Sequence, residues 1–168
     1  MRRNEMMNSL ITAREAAEIA FPGQFMGCEA ISEATIAAAE QRFIVPVVGE
    51  RLYRRMLEGA YRMLRTEYLA PALALWVKLS MLPSMAVQSG EMGVVELESG
   101  VLKGAGEEKL DLLCRRTRCE AAAMLRRAVA HIEARAEEYP EYCPQENVLN
   151  RCVIGGGVVF AERRPEHG

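Results

Sequence analysis

The chain reads as a mainly α protein, a bundle of about four to five helices. Three observations carry this expectation. Ala, Leu, Met, Glu and Arg, all strong helix formers, dominate the composition. Apolar residues recur at helical spacing through most of the first 140 positions. The stretch from Glu107 to Glu138 contains neither Gly nor Pro, and at ~1.5 Å per residue it makes a rod of ~45 Å.

The chain has 168 residues, half of them apolar and about a quarter charged. One domain is the default at this length, and such a chain buries enough surface to fold without metal or disulfide. The helical unit is expected over 1–142. Residues 143–168 form a Gly-containing tail, belonging to the same unit or docking on a neighbour. A net charge of −2 argues against a dedicated nucleic-acid binder, which carries a basic face. Five cysteines, an odd number, with no signal-peptide pattern, point to reduced thiols in a cytoplasm. No apolar run reaches the ~18 residues of a membrane span; the longest, Leu69 to Leu82, is interrupted by Pro71, Lys78 and Ser80.

Taken in order, Thr12 is placed to cap a helix from Ala13 to about Phe21, stopped by Pro22-Gly23. Ser32 caps a second helix, Glu33 to Val45, with Ile36, Ala39, Phe43 and Ala37 on its inner side and Pro46 as its end. A third helix spans Glu50 to about Leu64, weakened at Gly59. Its apolar stripe is surrounded by Arg51, Arg54, Arg55, Arg62 and Arg65. Thr66 is positioned to cap a fourth helix to Leu82, closed by Pro83. Leu69, Leu73, Trp76, Val77 and Leu79 make this the central core helix. From Met85 to Leu97 the periodicity changes, and two β-prone pieces around Ser89-Gly90 suggest a small hairpin.

The long helix, about 107–138, closes the bundle. On a wheel of ~100° per residue, Leu110, Leu113, Cys114, Thr117, Ala121, Met124, Leu125, Ala128 and Ile132 share one arc. Beyond Tyr139-Pro140, Cys152-Val-Ile154 and Val158-Val-Phe160 are β-prone and flank three glycines. An exposed apolar strand is an aggregation hazard. This segment therefore either pairs with the Met85–Leu97 hairpin or docks on another subunit.

Catalytic equipment is scarce. Gly104-Ala-Gly106 opens a helix, as phosphate loops do, but Glu107 and Glu108 follow and no Gly-Lys-Ser/Thr is present. His131-Ile-Glu133 has the spacing of zinc deaminases, yet the paired cysteines that complete that signature are missing. His131 sits on the shoulder of the apolar stripe, where a packed histidine is the plainer reading. Cys119 has no base near it in the pattern. No enzyme activity, cofactor, metal or small-molecule substrate is expected. The arginines of Arg51–Arg65 are the best basic patch, read either as a subunit-facing surface that includes Arg54, Arg55 and Arg62 or as a DNA contact of a helical regulatory module. The second candidate interface is Val153, Ile154, Val158, Val159 and Phe160.

Several stretches in fixed order resemble the small helical head–tail connector (adaptor) proteins of tailed phages and prophages, above all a branch found in prophages of Bacteroides-type bacteria. They are Ile11-Thr-Ala-Arg-Glu15; the run Ala-Glu-Gln-Arg-Phe-Ile-Val-Pro-Val-Val-Gly-Glu-Arg-Leu-Tyr from Ala39 to Tyr53; and Glu67-Tyr-Leu-Ala-Pro-Ala-Leu-Ala-Leu-Trp76. Leu82-Pro83, Gly93-Val94-Val95, the long helix and Tyr139-Pro140 follow. The likeness covers Leu10 to Tyr142, and the Gly-rich tail departs from it. It implies a structural virion protein that oligomerises as a ring between portal and tail. Its partners would be copies of itself and portal and tail proteins, with DNA passing through without tight binding and no membrane. The protein would be cytoplasmic during assembly and then part of the virion.

Overall fold

A computed structural model describes residues 8–22, 28–91, 102–155 and 158–161. The architecture is mainly helical. The elements are α1 (Ala13–Ala20), α2 (Glu33–Ala39), α3 (Val45–Val48), α4 (Glu50–Leu57), α5 (Ala70–Glu91), α6 (Leu102–Ala134) and α7 (Val148–Arg151), followed by strands β1 (Cys152–Gly155) and β2 (Val158–Ala161). Short 3₁₀ turns stand at Cys28–Ala30 and Ala136–Glu138. Two π turns, Glu40–Ile44 and Leu64–Leu69, lead into α3 and α5.

The helix starts follow local chemistry. Thr12 caps α1 as one half of a capping box: its hydroxyl accepts from the Glu15 N–H while the Glu15 carboxylate accepts from the Thr12 N–H at 2.8 Å. At its far end the Lys78 ammonium donates to the Ala20 carbonyl at 2.9 Å, which satisfies an end-of-helix acceptor. Ser32 caps α2 through the Thr35 N–H.

The two π turns share one arrangement. Val45 N–H bonds Glu40 O, and Ala70 N–H bonds Arg65 O, each five residues back. A proline stands two residues past each turn, Pro46 and Pro71. Proline offers no N–H and its ring crowds the carbonyl four residues earlier. A widened turn ahead of it lets the helical path carry on. Pro46 therefore does not end the second helix, as the sequence suggested; the path runs on to Gly49, whose φ of +84° suits a residue with no Cβ.

Other expectations need correction. The third helix stops at Leu57, not Leu64: Gly59 at φ +91° and Tyr61 at φ +54° turn the chain. The fourth is not capped by Thr66, whose hydroxyl bonds back to Arg62 O, and helical structure begins at Arg62. Pro83 lies inside α5, which continues to Glu91. The hairpin expected over Met85–Leu97 is thus overturned at Met85–Glu91, which are helical; 92–97 lie outside the described residues. The helix expected over 107–138 is α6 and ends at Ala134, where Arg135 breaks it before the 3₁₀ turn. Among the described residues, no helix is long and apolar enough to cross a membrane.

The core sits where α5 packs on α1, α2 and the lower half of α6. It is built on Leu52, Met56, Leu64, Leu69, Leu73, Val77, Leu125 and Ile132, all essentially inaccessible. Trp76 belongs to it as expected and stacks on half-buried Phe43, with centroids 4.0 Å apart. Ala37, expected inside, is exposed. Burying a side chain of Leu or Ile size contributes roughly 1.5–3 kcal/mol, and this apolar contact is the main force holding the helices together.

Candidate functional site

Four groups of residues could carry function, and each is fixed by the elements just described. The first is the arginine patch. The turn at Gly59–Tyr61 splits it between α4 and the start of the helix leading into α5, so there is no single Arg51–Arg65 helix to present to DNA. Arg54 pairs with Glu50 at 2.9 Å on the α4 surface. Arg55 pairs with Glu58 at 2.8 Å and reaches Glu141 at 3.2 Å. Its pKa rises because Glu58 and then Glu141 bond to the guanidinium. The Tyr61 hydroxyl donates to the other Glu141 oxygen at 2.7 Å. That bond, with smaller help from Arg55, holds the Glu141 carboxyl below its usual range. Arg62 is exposed. Arg55 therefore fastens the segment after α6 to α4.

The second group is the tail. Val153, Ile154, Val158, Val159 and Phe160 do not pair with a Met85–Leu97 hairpin. They form their own two-stranded antiparallel sheet, in register Val153↔Phe160 and Ile154↔Val159. The sheet continues directly from α7. A two-stranded hairpin is marginal by itself in water.

The third group is the upper part of α6. From Glu108 to Arg116 no residue is buried; Leu112 is 67% exposed and Leu113 41% exposed. Below it, Thr117, Ala121, Leu125, Ala128 and Ile132 are buried, while Met124, on the expected stripe, is 38% exposed. The pairs Arg115–Asp111 and Arg116–Glu120, both at i,i+4 spacing, support the helix by about 0.3–0.5 kcal/mol each. With 33 residues, α6 is roughly 50 Å long.

The fourth group is buried and polar. His131 lies between Tyr68, Arg135 and Tyr139. Arg135 donates to Nδ1 at 2.9 Å, so the ring proton stands on Nε2 and faces the Tyr139 hydroxyl at 3.1 Å. Burial, and then the Arg135 charge, push its pKa below the ordinary histidine value. Tyr142 nearby accepts from Asn147 at 2.8 Å and donates to Glu133 at 3.0 Å; burial pushes its phenol up to about 12. These groups are tied to one another and stitch the end of α6 to the segment after it. Glu40 is completely buried. It was missed in the sequence because Ala39-Glu40-Gln41 reads as an ordinary helix surface. No local signal marks its burial, which is set by contacts with Leu10 and Tyr53.

Among the described residues, no cluster of His, Cys, Asp and Glu is arranged to hold a metal. Cys114, Cys119 and Cys143 are free thiols, and Cys119 is exposed.

The fold and these surfaces define a small helical protein with a long, partly uncovered helix. The chain belongs to a family of unknown function (DUF6712), which it matches over residues 44–151. No curated protein and no solved structure matches it.

Proposed function

We propose that the chain is a structural assembly protein, a head–tail connector whose copies form a ring between a phage portal and tail. The observation that carries this reading is the upper half of α6. Leu112 and Leu113 stand exposed on a helix of 33 residues. A long helix gains most of its stability by burying an apolar face against a partner. A neighbouring copy laid beside residues 108–116 would supply that partner. The short tail sheet offers strand edges for a second contact. The order of motifs from Leu10 to Tyr142 supports the same class. In this reading the partners are other copies and the portal and tail proteins, and DNA passes without being gripped.

Sedimentation velocity over a concentration series tests the reading. The expected result is a sedimentation coefficient that climbs with concentration and stays monomeric when Leu112 and Leu113 are both changed to Glu, with the helical signal and melting temperature unchanged. A wild-type protein that stays monomeric at every concentration overturns the reading. So does a double variant that assembles equally well.

A further inference from the structure

Two apolar surfaces of the chain call for a cover. One is the upper part of α6. Leu112 and Leu113 are exposed there, and exposed Lys109 and Arg116 stand between them around the helix. The methylene stems of such side chains lie along apolar surface while the charged heads stay in water, so the strip continues from one leucine to the other. The second surface is the sheet of β1 and β2. Every residue of the two strands is apolar or glycine. Successive residues of a strand alternate between faces, and the register puts Ile154 with Val159 on one face and Val153 with Phe160 on the other. A sheet with one wet face alternates apolar and polar residues, whereas a continuous apolar run marks strands covered on both faces.

One chain cannot bring its own two surfaces together. Asn150 in α7, just ahead of the hairpin, donates to Glu133 Oε1 at 3.1 Å, near the lower end of α6. That bond fixes where the hairpin is rooted. Leu112 stands on the same helix about 30 Å higher, at ~1.5 Å per residue. β1 has four residues and reaches only ~13 Å at ~3.3 Å per residue. A hairpin rooted beside Glu133 therefore falls well short of Leu112 on its own helix, and a cover for that strip comes from outside the chain.

We propose that the β1–β2 hairpin of one copy lies across residues 108–116 of α6 in the next copy. The joint rests on the assembly reading given above and names which surfaces of two copies meet. They are different patches of the same chain, so the contact is heterologous. Each copy gives its hairpin to one neighbour and receives a hairpin from the other, and such a series closes into a ring when the rotation per copy divides a full turn. Contact between two α6 strips would be isologous instead, and would stop at a dimer. The hairpin gains as well, since two strands by themselves are marginal in water and a helix laid on one face supplies the missing layer.

Two full-length variants, followed by sedimentation velocity, test the joint. One carries Leu112→Glu with Leu113→Glu; the other carries Val159→Glu with Phe160→Glu, which puts a charge on each face of the sheet. The expected result is that each variant alone stays monomeric, with the helical signal and melting temperature of the wild type. Their equimolar mixture forms a species of two chains and nothing larger, because one intact strip and one intact hairpin remain to meet. A hairpin variant that assembles as the wild type does overturns the proposal and leaves the assembly reading standing. So does a mixture that stays monomeric while the wild type assembles. A wild type that is monomeric at every concentration removes the assembly reading, and the joint with it. Should the hairpin variant fail to fold, a photoreactive benzophenone side chain in place of Leu112 decides, with isotopically light and heavy copies mixed. A crosslink from position 112 of one copy to residues 152–161 of another supports the joint; a crosslink to α6 of another copy, or none between copies, overturns it.

Discussion

From Thr117 to Ile132, α6 lays Ala121, Leu125, Ala128 and Ile132 against α5 and the turn before it, and each is buried. From Glu108 to Arg116 the same helix has no fully buried residue: of the three that continue the stripe around the wheel, Leu110 and Cys114 are half-buried and Leu113 is exposed. The two halves have one pattern and two environments. The pattern reports that a face is fit to be covered; only the packing reports what covers it. In the lower half the cover is this chain's own core. In the upper half it is the surface on which the assembly reading rests.

Three measurements can break or sharpen this contrast. The largest effect is expected at the bottom of the helix. Ile132→Ala removes a fully buried side chain and should cost about 2–5 kcal/mol in chemical denaturation; a loss near zero would mean the lower half is not core. The intermediate effect is pH-dependent. His131 is neutral in the fold and its pKa is lowered by burial and then Arg135. The unfolded chain therefore binds the proton more readily. Stability should drop as pH falls below the ordinary histidine value of about 6.5 and onward through the lowered one. Melting temperatures should show the drop in the wild type and a shallower one in His131→Gln; equal slopes would remove His131 as the cause. The smallest effect is expected at the top. Leu112→Ala should shift the stability of the dilute protein by no more than about 0.5 kcal/mol. A larger loss would mean that residue 112 already has a cover within the chain.

Much of the fold was legible where the signal is local. Thr12 and Ser32 cap as their side-chain oxygens dictate, and Gly59 breaks a helix because the chain needs a positive φ there. Of the apolar residues expected in the central helix, Leu69, Leu73, Trp76 and Val77 are core and Leu79 is half-buried. Pro46 and Pro83 were misread. Pro46 follows a widened turn that absorbs its missing donor, and Pro83 is carried inside α5. The β-prone composition of Met85–Glu91 lost to continuation of α5, since strand preference depends on having a partner strand. The arginine patch was legible as composition, but its division by the turn at Gly59–Tyr61 was not. Glu40 was hidden because its burial is decided by Leu10 and Tyr53, 30 and 13 residues away.

The segment that follows α6 returns across the module. Glu141 reaches Arg55 and Tyr61, and Glu146 lies over Gly49, where its Oε2 would stand 3.5 Å from any added Cβ. A nascent chain emerging from the ribosome therefore has α1 to α6 before it has the clasp that joins α4 to the end of α6. Closure waits until residues 141–147 have cleared the exit tunnel.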